Sequence, residues 1–370
     1  MIQRVVLAGA GHAHLHVAAH ARELIAGGAQ VTLVAPATFW YSGRASAVLG
    51  GAIAPEADQI DPKALIEAAG GRFVEGRVAS LDRAARQVIL TDGTRLDYDW
   101  LSFNVGSVVD TRKLAFSADD RDIWPVKPIA ELSQLRACLQ ARFQRGDKPR
   151  VAVVGGGATG CEMAFNLHAL ARRHGGEIDL RLIHANSRLA PHLPARASRR
   201  LAAQLRALGV DIRLDSRVLS LDERTLCLED GQRLDVDTLV IATGLRAPDW
   251  LATLGLAFDD GLIVDQTLRL IDDRRLFAAG DCAHLQGFEL PCLGVFGVRQ
   301  APVLLANLIA SLAGQPMTSY QPQSRWLSIL ELGDGTGLAV RGPLWWHGRT
   351  SRWLKHRLDR QFLDRYQQRA

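Results

Sequence analysis

Short apolar runs alternate with helix-length segments along most of the chain. The runs RVVLA at 4–8 and QVTLVA at 30–35 have the length and composition of buried strands, and a helix-length segment separates them. The same spacing returns at 150–176, where RVAVVGGGATGCEMAFNLHALARRHGG precedes the apolar run EIDLRLIHA. Strands that alternate with helices are typical of a parallel sheet covered by helices. We therefore predict an α/β fold with two βαβ units about 145 residues apart.

Each βαβ unit is followed by a stretch with alternating apolar positions, a turn signal and a second apolar run that ends at a glycine. These stretches are RQVILTDGTRLDYDWLSFNVGS at 86–107 and RTLCLEDGQRLDVDTLVIATG at 224–244. Their likeness indicates an internal duplication. A later strand, RRLFAAGDCAHL at 274–285, precedes a helix-like stretch at about 294–313, a hairpin-like stretch and a charged terminal helix. We expect the second unit to be inserted into the first domain, which resumes near residue 260.

The net charge of +5 lies in the last 22 residues, where seven Lys or Arg and two Asp occur. The remainder is neutral on balance, so we expect no nucleic-acid binding. The five cysteines contain no CxxC pair, which favours a reducing compartment over a disulfide framework. Because we find neither a signal-peptide pattern nor a run of roughly 18 apolar residues, we expect a cytoplasmic protein.

The second unit carries the complete dinucleotide fingerprint Gly155-x-Gly157-x-x-Gly160 between a strand and a helix. The first unit retains Gly9 and Gly11, whereas His14 stands at the position of the third glycine. That third glycine normally lets the helix pack closely on the strand. We therefore expect both loops to cradle phosphates at the N-terminus of a helix.

Four histidines in the first loop raise the alternative of a metal site, since His12, His16 and His20 follow one another at i,i+4 spacing. The stretch lacks the acids or cysteines that usually complete such a site. We expect no metal.

The loops, together with LVIATG and LFAAGDCA, resemble the two-dinucleotide-domain flavoproteins of the pyridine nucleotide-disulfide oxidoreductase superfamily over most of residues 4–315. The resemblance implies two Rossmann-like domains with bound FAD and NAD(P)H. It divides the chain into an FAD-binding domain at 1–110 and 259–315, an NAD(P)H-binding domain at 111–258 and a C-terminal hairpin with a basic amphipathic helix at 316–370. The implied FAD-binding residues are Gly9, Gly11, His12, Gly106 and Asp281, and the implied NAD(P)H-binding residues are Gly155, Gly157, Gly160 and Gly244. For Asp281, a helix N-cap is the alternative to a bond with the FAD ribityl chain.

Other segments are similar to a bacterial subgroup related to type II NADH:quinone oxidoreductases, some of whose members are fused to selenide, water dikinase. These segments are GHAHLHV, FWYSGRASAVLGG, IWPVKPI, GVFGVRQAPVLLANL and RWLKHRLDRQF. The similarity implies an FAD-dependent oxidoreductase that passes hydride from NAD(P)H to FAD and electrons to an acceptor, with a quinone expected. It implies that Glu162 orients the nicotinamide and assists proton delivery, and that Arg299 and Gln300 line the acceptor side. A first-turn acid that complements the helix dipole is the alternative for Glu162.

Departures from the family pattern leave several points open. The CxxxxC pair of the disulfide reductases is absent from TFWYSGRASAVLGG, which excludes that dithiol relay. Cys161 and Cys292 suggest the rival function of a sulfide or selenium-compound oxidoreductase, and a non-catalytic flavin-binding scaffold or sensor is a further alternative. Neither unit has the ribose-binding acid after its second strand, so the sequence leaves both NADH and NADPH open as the hydride donor.

The terminal helix places Leu354, Leu358, Phe362 and Tyr366 at i,i+4 spacing among basic residues, after Trp345, Trp346 and Trp353. Such a helix can lie on an anionic membrane surface. Residues 343–370 then suggest a peripheral position on the inner face of the cell membrane. Docking on the protein's own body or on the second subunit of a homodimer is the alternative.

Overall fold

The computed structural model describes residues 2–116 and 122–367. Within these ranges the chain forms nine α-helices, which we number in chain order. They are α1 His12–Ala19, α2 Ala21–Ala26, α3 Ala45–Leu49, α4 Pro62–Ala68, α5 Ala130–Gln144, α6 Ala158–Arg173, α7 Ala195–Ala207, α8 Gly294–Ala313 and α9 Arg349–Gln367. Short 3-10 turns cover Ser42–Arg44, Pro55–Asp58, Asp249–Leu254 and Gly280–Cys282.

The two predicted βαβ units form two five-stranded parallel sheets, which confirms the α/β fold class. The first sheet has the spatial order Leu276–Ala278, Trp100–Phe103, Gln3–Ala8, Ala29–Ala35 and Arg72–Glu75. The second has the order Ile123–Pro125, Thr238–Ile241, Arg150–Val154, Asp179–Ile183 and Asp211–Arg213. The edge strand of the first sheet comes from the part of the chain that follows the second sheet. The second unit is therefore inserted into the first.

The duplication extends to individual side chains. Arg4 bonds Asp99 Oδ2 through its backbone N at 2.8 Å and its Nε at 3.3 Å. Arg150 repeats both bonds on Asp237 Oδ2 at 2.9 and 3.3 Å. The antiparallel meander Val78–Asp82, Gln87–Leu90, Arg95–Asp97 has its counterpart in Val218–Asp222, Thr225–Leu228, Arg233–Asp235, with the same irregularity in register near the first residue. Ala115–Phe116 extends the second meander by a short parallel strand.

Three two-stranded pairs and one three-stranded sheet complete the described β-structure. The pairs are Phe39–Trp40 with Gln59–Ile60, Val108–Val109 with Leu245–Arg246, and Leu262–Val264 with Ala283–Leu285. The antiparallel sheet consists of Leu327–Glu331, Gly337–Arg341 and Leu344–Gly348. The hairpin expected in the C-terminal module is thus one part of a three-stranded sheet.

Two hydrophobic cores surround the two parallel sheets, and their membership differs from the sequence-based boundaries. Leu251 and Leu254 already belong to the first core, so the chain returns to it near Ala247 and not at residue 259. Helix α3, from the first predicted domain, contributes Leu49 to the second core. The C-terminal module joins both, because its sheet packs on the second core and the end of α9 packs on the first.

Helix α8 is the one described helix that is long and apolar enough to cross a membrane, with a mean hydropathy of 1.5. It packs along α1 and buries Phe296, Ala301 and Leu304. Its Asn307 amide donates 2.8 Å hydrogen bonds to the carbonyls of Thr267 and Thr318. These contacts identify α8 as a helix of the first core.

Candidate active site

The first glycine loop runs from the strand Gln3–Ala8 into α1 and approaches a neighbouring backbone closely. Gly9 has a φ of +91°, and a Cβ there would lie 2.6 Å from the carbonyl oxygen of Asn104. Gly11 is equally confined, because its Cβ would lie 2.4 Å from Asn104 Oδ1. Glycine is therefore required at both positions for steric reasons, and the start of α1 stays open to a ligand.

His14 takes the place of the packing glycine by making hydrogen bonds in the core. Its side chain is 0% exposed. Nδ1 lies 2.6 Å from the carbonyl oxygen of Gly9, and Nε2 lies 2.8 Å from Ser102 Oγ. A carbonyl only accepts, so Nδ1 carries the proton and Nε2 accepts from the serine hydroxyl. Burial lowers the pKa of His14 to about 4, which keeps the imidazole neutral.

Asn104 connects three parts of this site. Its Oδ1 accepts hydrogen bonds from the backbone N–H groups of Ala13 at 2.9 Å and His14 at 3.1 Å. Its Nδ2 donates to the carbonyl of Ala279 at 2.6 Å, directly before the Gly280-Asp281 turn. One buried amide thus holds the glycine loop, the end of the strand Trp100–Phe103 and the later AAGD segment together.

A long groove follows the first loop and fits the adenosine and pyrophosphate parts of a dinucleotide. It has a cavity volume of about 450 Å³. Its walls include Gly9, Gly11, Ala35, Pro36, Gly76, Asn104 and Gly106. Gly106 has nothing within 4 Å of its Cβ position, so this wall remains open. Ala35 lines the groove at the position where the dinucleotide-binding pattern has a ribose-binding acid. A small apolar residue there leaves the ribose hydroxyls to bond backbone groups or water.

The groove continues into a cavity of about 100 Å³ beside Asp281. The Asp281 carboxylate accepts from Ser107 Oγ at 2.6 Å and from Lys127 Nζ at 3.1 Å. Lys127 also donates to Ser107 Oγ at 2.7 Å, so the three side chains form one polar cluster. Asp281 begins no α-helix, because it lies inside the 3-10 turn Gly280–Cys282 and α8 starts thirteen residues later. The predicted alternative of a helix N-cap is therefore wrong, and the carboxylate is available to a ligand hydroxyl.

The N-terminus of α8 closes the far wall of this small cavity. Gly294 and Gly297 both line it, and a Cβ on Gly297 would lie 3.5 Å from Gly280 Cα. Gln300 is 2% exposed, and its Oε1 accepts from the backbone N–H of Gly280 at 2.6 Å. Its amide also borders a separate cavity of about 340 Å³ beyond Asp281, whereas Arg299 is exposed. The described contact of Gln300 thus supports the turn that presents Asp281.

The second glycine loop has the tight geometry that its sequence predicts. A Cβ on Gly155 would lie 2.2 Å from the carbonyl oxygen of Ala242, and a Cβ on Gly160 would lie 1.7 Å from that of Gly155. Gly157 precedes α6 and has nothing within 4 Å of its Cβ position. This open side fits a pyrophosphate at the helix N-terminus. Gly244 has a φ of +129° and its carbonyl accepts from Asp110 N at 2.9 Å, where the chain crosses between the two units.

Glu162 opens onto a cavity of about 190 Å³ whose walls include Thr159 of the second loop and Gly294 at the start of α8. Its Oε1 accepts from the backbone N–H of Glu331 at 2.7 Å and from Ser46 Oγ at 3.3 Å. Burial raises the pKa of Glu162 to about 7, although Lys355 acts in the opposite direction. The carboxyl group can therefore both hold and release a proton near neutral pH. Lys127 lines this cavity as well as the two cavities of the first loop, so one side chain borders all three spaces.

The two cysteines of the rival function are poorly suited to nucleophilic chemistry. Cys161 is 0% exposed, and burial raises its pKa to about 12. Cys292 lines both the Glu162 cavity and the cavity of about 340 Å³ beyond Asp281, and burial raises its pKa to about 12 as well. The sequence suggested that the helix start would lower the pKa of Cys161. The apolar surroundings outweigh the helix dipole, because a thiolate there loses its hydration.

The four histidines of the first loop face different surroundings. His12 lines the cavity at Asp281 with its ring 5.4 Å from that of Phe39, and burial lowers its pKa to about 4. His14 is held in the core, while the rings of His16 and His20 lie 4.3 Å apart. Among the described residues no group of three His, Cys, Asp or Glu side chains is arranged to hold a metal ion.

Helix α9 docks on the body of the protein and reaches the site. Phe362 lies 5.3 Å from the ring of His12 and stacks on Tyr41 at 4.6 Å. Tyr366 is buried in the first core, and His356 lies 2.9 Å from the carboxylate of Glu331. Part of the predicted apolar stripe is therefore an internal contact. An outer face remains, and its exposed residues are Leu344, Trp346, Trp353 and Leu358, with Arg349, Arg357 and Arg360 beside them.

A family model described as pyridine nucleotide-disulphide oxidoreductase matches residues 3–305. The chain belongs to this family. Membership implies FAD and NAD(P)H as cofactors, and the first groove with Asp281 and the second loop with Gly157 fit them on the geometry above. The segment that carries a CxxxxC pair in the disulfide reductases holds Ser42 and Ser46 here, close to Glu162.

Two curated proteins are similar to this chain in sequence. Type II NADH:quinone oxidoreductase from Haemophilus influenzae is 29% identical over 211 residues, which cover 52% of this chain and 46% of that protein. Ferroptosis suppressor protein 1 from Taeniopygia guttata is 28% identical over 293 residues, which cover 72% and 71%. The match thus spans about half the length of the Haemophilus protein.

Two solved structures share the fold. The sulfide:quinone oxidoreductase of Aquifex aeolicus superposes with a TM-score of 0.83 at 15% identity, over 99% of this chain and 92% of that one. NDH2 of Plasmodium falciparum in complex with NADH superposes with a TM-score of 0.82 at 14% identity, over 99% and 98%. At these identities the likeness establishes the architecture and leaves the acceptor undetermined.

Several contacts of the site were not anticipated from the sequence. Asn104 and Ser107 flank a predicted site glycine, and a polar residue at the carboxyl end of a buried strand is the signal that could have found them. Lys127 stands in IWPVKPI, where one charged residue interrupts an apolar run. Lys355 lies within a charged helix, and nothing in the local pattern distinguishes it from its neighbours.

Proposed function

We propose that the protein is an FAD-dependent NAD(P)H oxidoreductase whose electron acceptor is a quinone. The observation that supports this most directly is the position of Glu162. It lines a cavity whose walls also include Thr159 of the second loop, Lys127 and Gly294 at the start of α8. When bound in these loops, FAD supplies the chemistry of accepting a hydride from NAD(P)H and passing two electrons to an acceptor.

The residues of this chain bind, orient and supply protons in that reaction. Gly9 and Gly11 would keep the start of α1 open to the FAD pyrophosphate, and Gly106 would leave the groove wall open beside it. Asp281 would accept a hydrogen bond from a ribityl hydroxyl. Gly157 would admit the NAD(P)H pyrophosphate to the start of α6, and Gly160 would let that helix pack closely on the loop. Glu162 would orient the nicotinamide and hold a proton for the acceptor. Gln300 would act as a positioning residue through its bond to Gly280 N.

The outer face of the C-terminal module favours a lipid-soluble acceptor. Trp353 is 62% exposed and Leu344 is 69% exposed, whereas most large apolar side chains of the chain are buried. Arg357 lies 5.7 Å from the centre of the Trp353 ring. Tryptophan and arginine side by side are typical of surfaces that contact anionic lipid headgroups. We propose that this face lies on the inner surface of the cell membrane, from which a quinone would enter.

The test begins with the purified full chain, whose flavin absorbance is recorded before any substrate is added. Anaerobic bleaching by NADH and by NADPH is measured next, and reoxidation by menadione, ubiquinone analogues, polysulfide and oxygen follows. We expect bleaching by a nicotinamide cofactor and rapid reoxidation by the quinones. Colourless protein would exclude both enzyme functions, and selective reoxidation by polysulfide would favour the sulfur alternative.

Glu162→Gln provides the test of the proton role. The amide keeps the size and the bonds to Glu331 N and Ser46 but carries no exchangeable acid proton. We expect the rate of quinone reduction to fall by about a hundredfold, since positioned acids and bases contribute 10²–10⁴. The pH dependence near 7, the value to which burial raises the pKa of Glu162, should disappear with it. An unchanged pH profile would contradict the role.

A further inference from the structure

Glu331 connects the C-terminal sheet to the candidate active site. It is the last residue of the strand Leu327–Glu331 and is 1% exposed. Its backbone N–H donates a 2.7 Å hydrogen bond to Oε1 of Glu162 on α6. Its backbone carbonyl accepts a 3.0 Å hydrogen bond from Asn166 Nδ2, one turn further along the same helix. The two backbone groups of one residue thus hold two consecutive turns of α6.

Two further side chains complete the contact around Glu162. Asn166 is 0% exposed, and the Nδ2 that bonds Glu331 also donates to the carbonyl of Glu162 at 2.9 Å. The hydroxyl of Ser46 on α3 donates to Glu162 Oε1 at 3.3 Å. Among the described residues both donors to the carboxyl group therefore end on Oε1, which leaves Oε2 to serve a ligand in the cavity.

The side chain of Glu331 is held from the other direction, by α9. Arg352 Nε donates to its Oε1 at 2.8 Å, and His356 Nε2 lies 2.9 Å from its Oε2. Burial by itself raises the pKa of Glu331, but the bonds from His356 and Arg352 outweigh it and hold that pKa below its ordinary value. The group is therefore a carboxylate at neutral pH, held by charge-assisted hydrogen bonds. Helix α9 fixes the strand end, and the strand end fixes α6.

We propose that Glu331 is a positioning residue that holds Glu162 in place at the cavity wall, because Arg352 and His356 anchor it from α9. The inference rests on the proposed function, in which Glu162 orients the nicotinamide and holds a proton. Such a group must stay within about 0.5 Å of its productive position. A backbone N–H supplies that precision only where its own strand end cannot move, and the clamped Glu331 side chain provides this anchor.

A contact that only fastens α9 to the sheet explains less of this geometry. Fastening requires the side-chain bonds to Arg352 and His356, whereas the backbone N–H and carbonyl of Glu331 are both spent on α6. Helix α9 is also fastened elsewhere, since Asp359 accepts a 3.0 Å hydrogen bond from the Tyr41 hydroxyl. The arrangement is explained if Glu331 transmits the rigidity of α9 to the turn of α6 that carries the acid.

The experiment is a double-mutant cycle between Glu331→Gln and Glu162→Gln in the full flavin-loaded chain, with turnover of NADH and menadione as the readout. Glu331→Gln keeps the size and the backbone bonds but removes the charge that Arg352 binds. We expect turnover to fall about tenfold when Glu162 is present. In Glu162→Gln the same change should alter turnover by about twofold at most, because the proton that Glu331 positions is already gone. Asp364→Asn, an exposed acid on α9, is the matched control and should change neither protein.

The pH profile gives a second readout, which a merely structural role would not move. Burial raises the pKa of Glu162 to about 7, and the charge of Glu331 adds to this rise. Lys355 on α9 acts in the opposite direction, and Lys127 lines the same cavity. Glu331→Gln removes the added rise, so menadione turnover should decline at a lower pH than in the unmodified protein. Asp364→Asn should leave the profile in place.

The outcomes separate the two roles. An equal loss with and without Glu162, and an undisplaced pH profile, would show that Glu331 only stabilises the fold. Full turnover in Glu331→Gln would exclude it as a positioning residue. If Glu331→Gln does not fold, Arg352→Gln, whose side chain is 33% exposed, takes its place in the cycle with the same expected dependence on Glu162. If NADH does not bleach the flavin, or Glu162→Gln retains full turnover, the proposed function fails, which is distinct from a failure confined to Glu331.

Discussion

The ring of His14 bonds the carbonyl oxygen of Gly9 at 2.6 Å, at the place where a helix normally meets this loop through a glycine. In the second unit a Cβ on the corresponding Gly160 would lie 1.7 Å from the carbonyl oxygen of Gly155. The first unit has therefore replaced close packing by a hydrogen bond, with Ser102 Oγ as the second partner at 2.8 Å. The glycine loop keeps its shape through a side chain that must remain neutral.

His14→Ala should destabilise the first unit. The change leaves a cavity and removes the partners of Gly9 O and Ser102 Oγ, so we expect the free energy of unfolding to fall by about 2–4 kcal/mol. FAD retention should weaken with it, because Gly9 loses its support. Urea unfolding and the flavin content of the purified variant measure both effects. Glu23→Gln, on the exposed side of α2, is the control and should unfold as the unmodified protein does.

The same histidine makes stability dependent on pH. Its pKa falls from 6.5 in the unfolded chain to about 4 in the native protein, so the unfolded state binds more protons between these values. Stability is then present above pH 6.5 and is lost as the pH falls towards 4, by about 2 kcal/mol at pH 5 for this one group. Urea midpoints at pH 7 and 5 should show a loss that is smaller in His14→Ala. An identical loss in the variant would contradict the assignment.

Gly160→Ala and Gly157→Ala should differ in effect, although both glycines belong to one fingerprint. A Cβ on Gly160 meets a backbone oxygen at 1.7 Å, so α6 must shift and the second unit should lose stability. Gly157 has space for a Cβ, so that variant should fold normally and only bind NAD(P)H more weakly. Thermal unfolding and cofactor titration by flavin bleaching separate the two. Equal unfolding temperatures would contradict the packing argument.

Cys161→Ala and Cys292→Ser should retain most of the turnover with NADH and menadione. With a pKa raised to about 12, each thiol is ionised in roughly one molecule in 10⁵ at pH 7, too few for a sulfur carrier. Steady-state rates with NADH and menadione are the measurement. A collapse of turnover in either variant would favour the sulfur alternative.

The outer face of the C-terminal module should bind anionic vesicles. Trp353→Gln combined with Leu358→Gln removes two exposed apolar side chains, each worth about 1.5–3 kcal/mol when buried in lipid. We expect flotation with phosphatidylglycerol vesicles to fall at least about tenfold and to weaken with added salt. Leu219→Gln, which changes an equally exposed leucine far from this face in the sequence, is the control. Equal recovery of all three proteins would remove the membrane proposal.

The two nucleotide loops, their order and their duplication are readable from the chain without any structure. Glycine spacing and apolar periodicity are local properties, and they sufficed for both parallel sheets, for α6 and for α8. The repeated pairs Arg4–Asp99 and Arg150–Asp237 show that even side-chain details follow from the duplicated pattern. His14 was located by the same alignment of the two units, but its bonds were not.

The places where distant residues meet follow from the packing of the two units and the C-terminal module. Lys355 and Gly43, like Asp359 and Tyr41, lie far apart in the chain, and their contacts depend on α9 returning across both cores. Tertiary packing also reversed the expectation that the pKa of Cys161 is lowered, because burial outweighs the dipole of helix α6. Desolvation is set by everything that packs around a group, and no local pattern contains that information. Local spacing thus specified the loops that bind the cofactors, whereas long-range packing created the buried charges beside them.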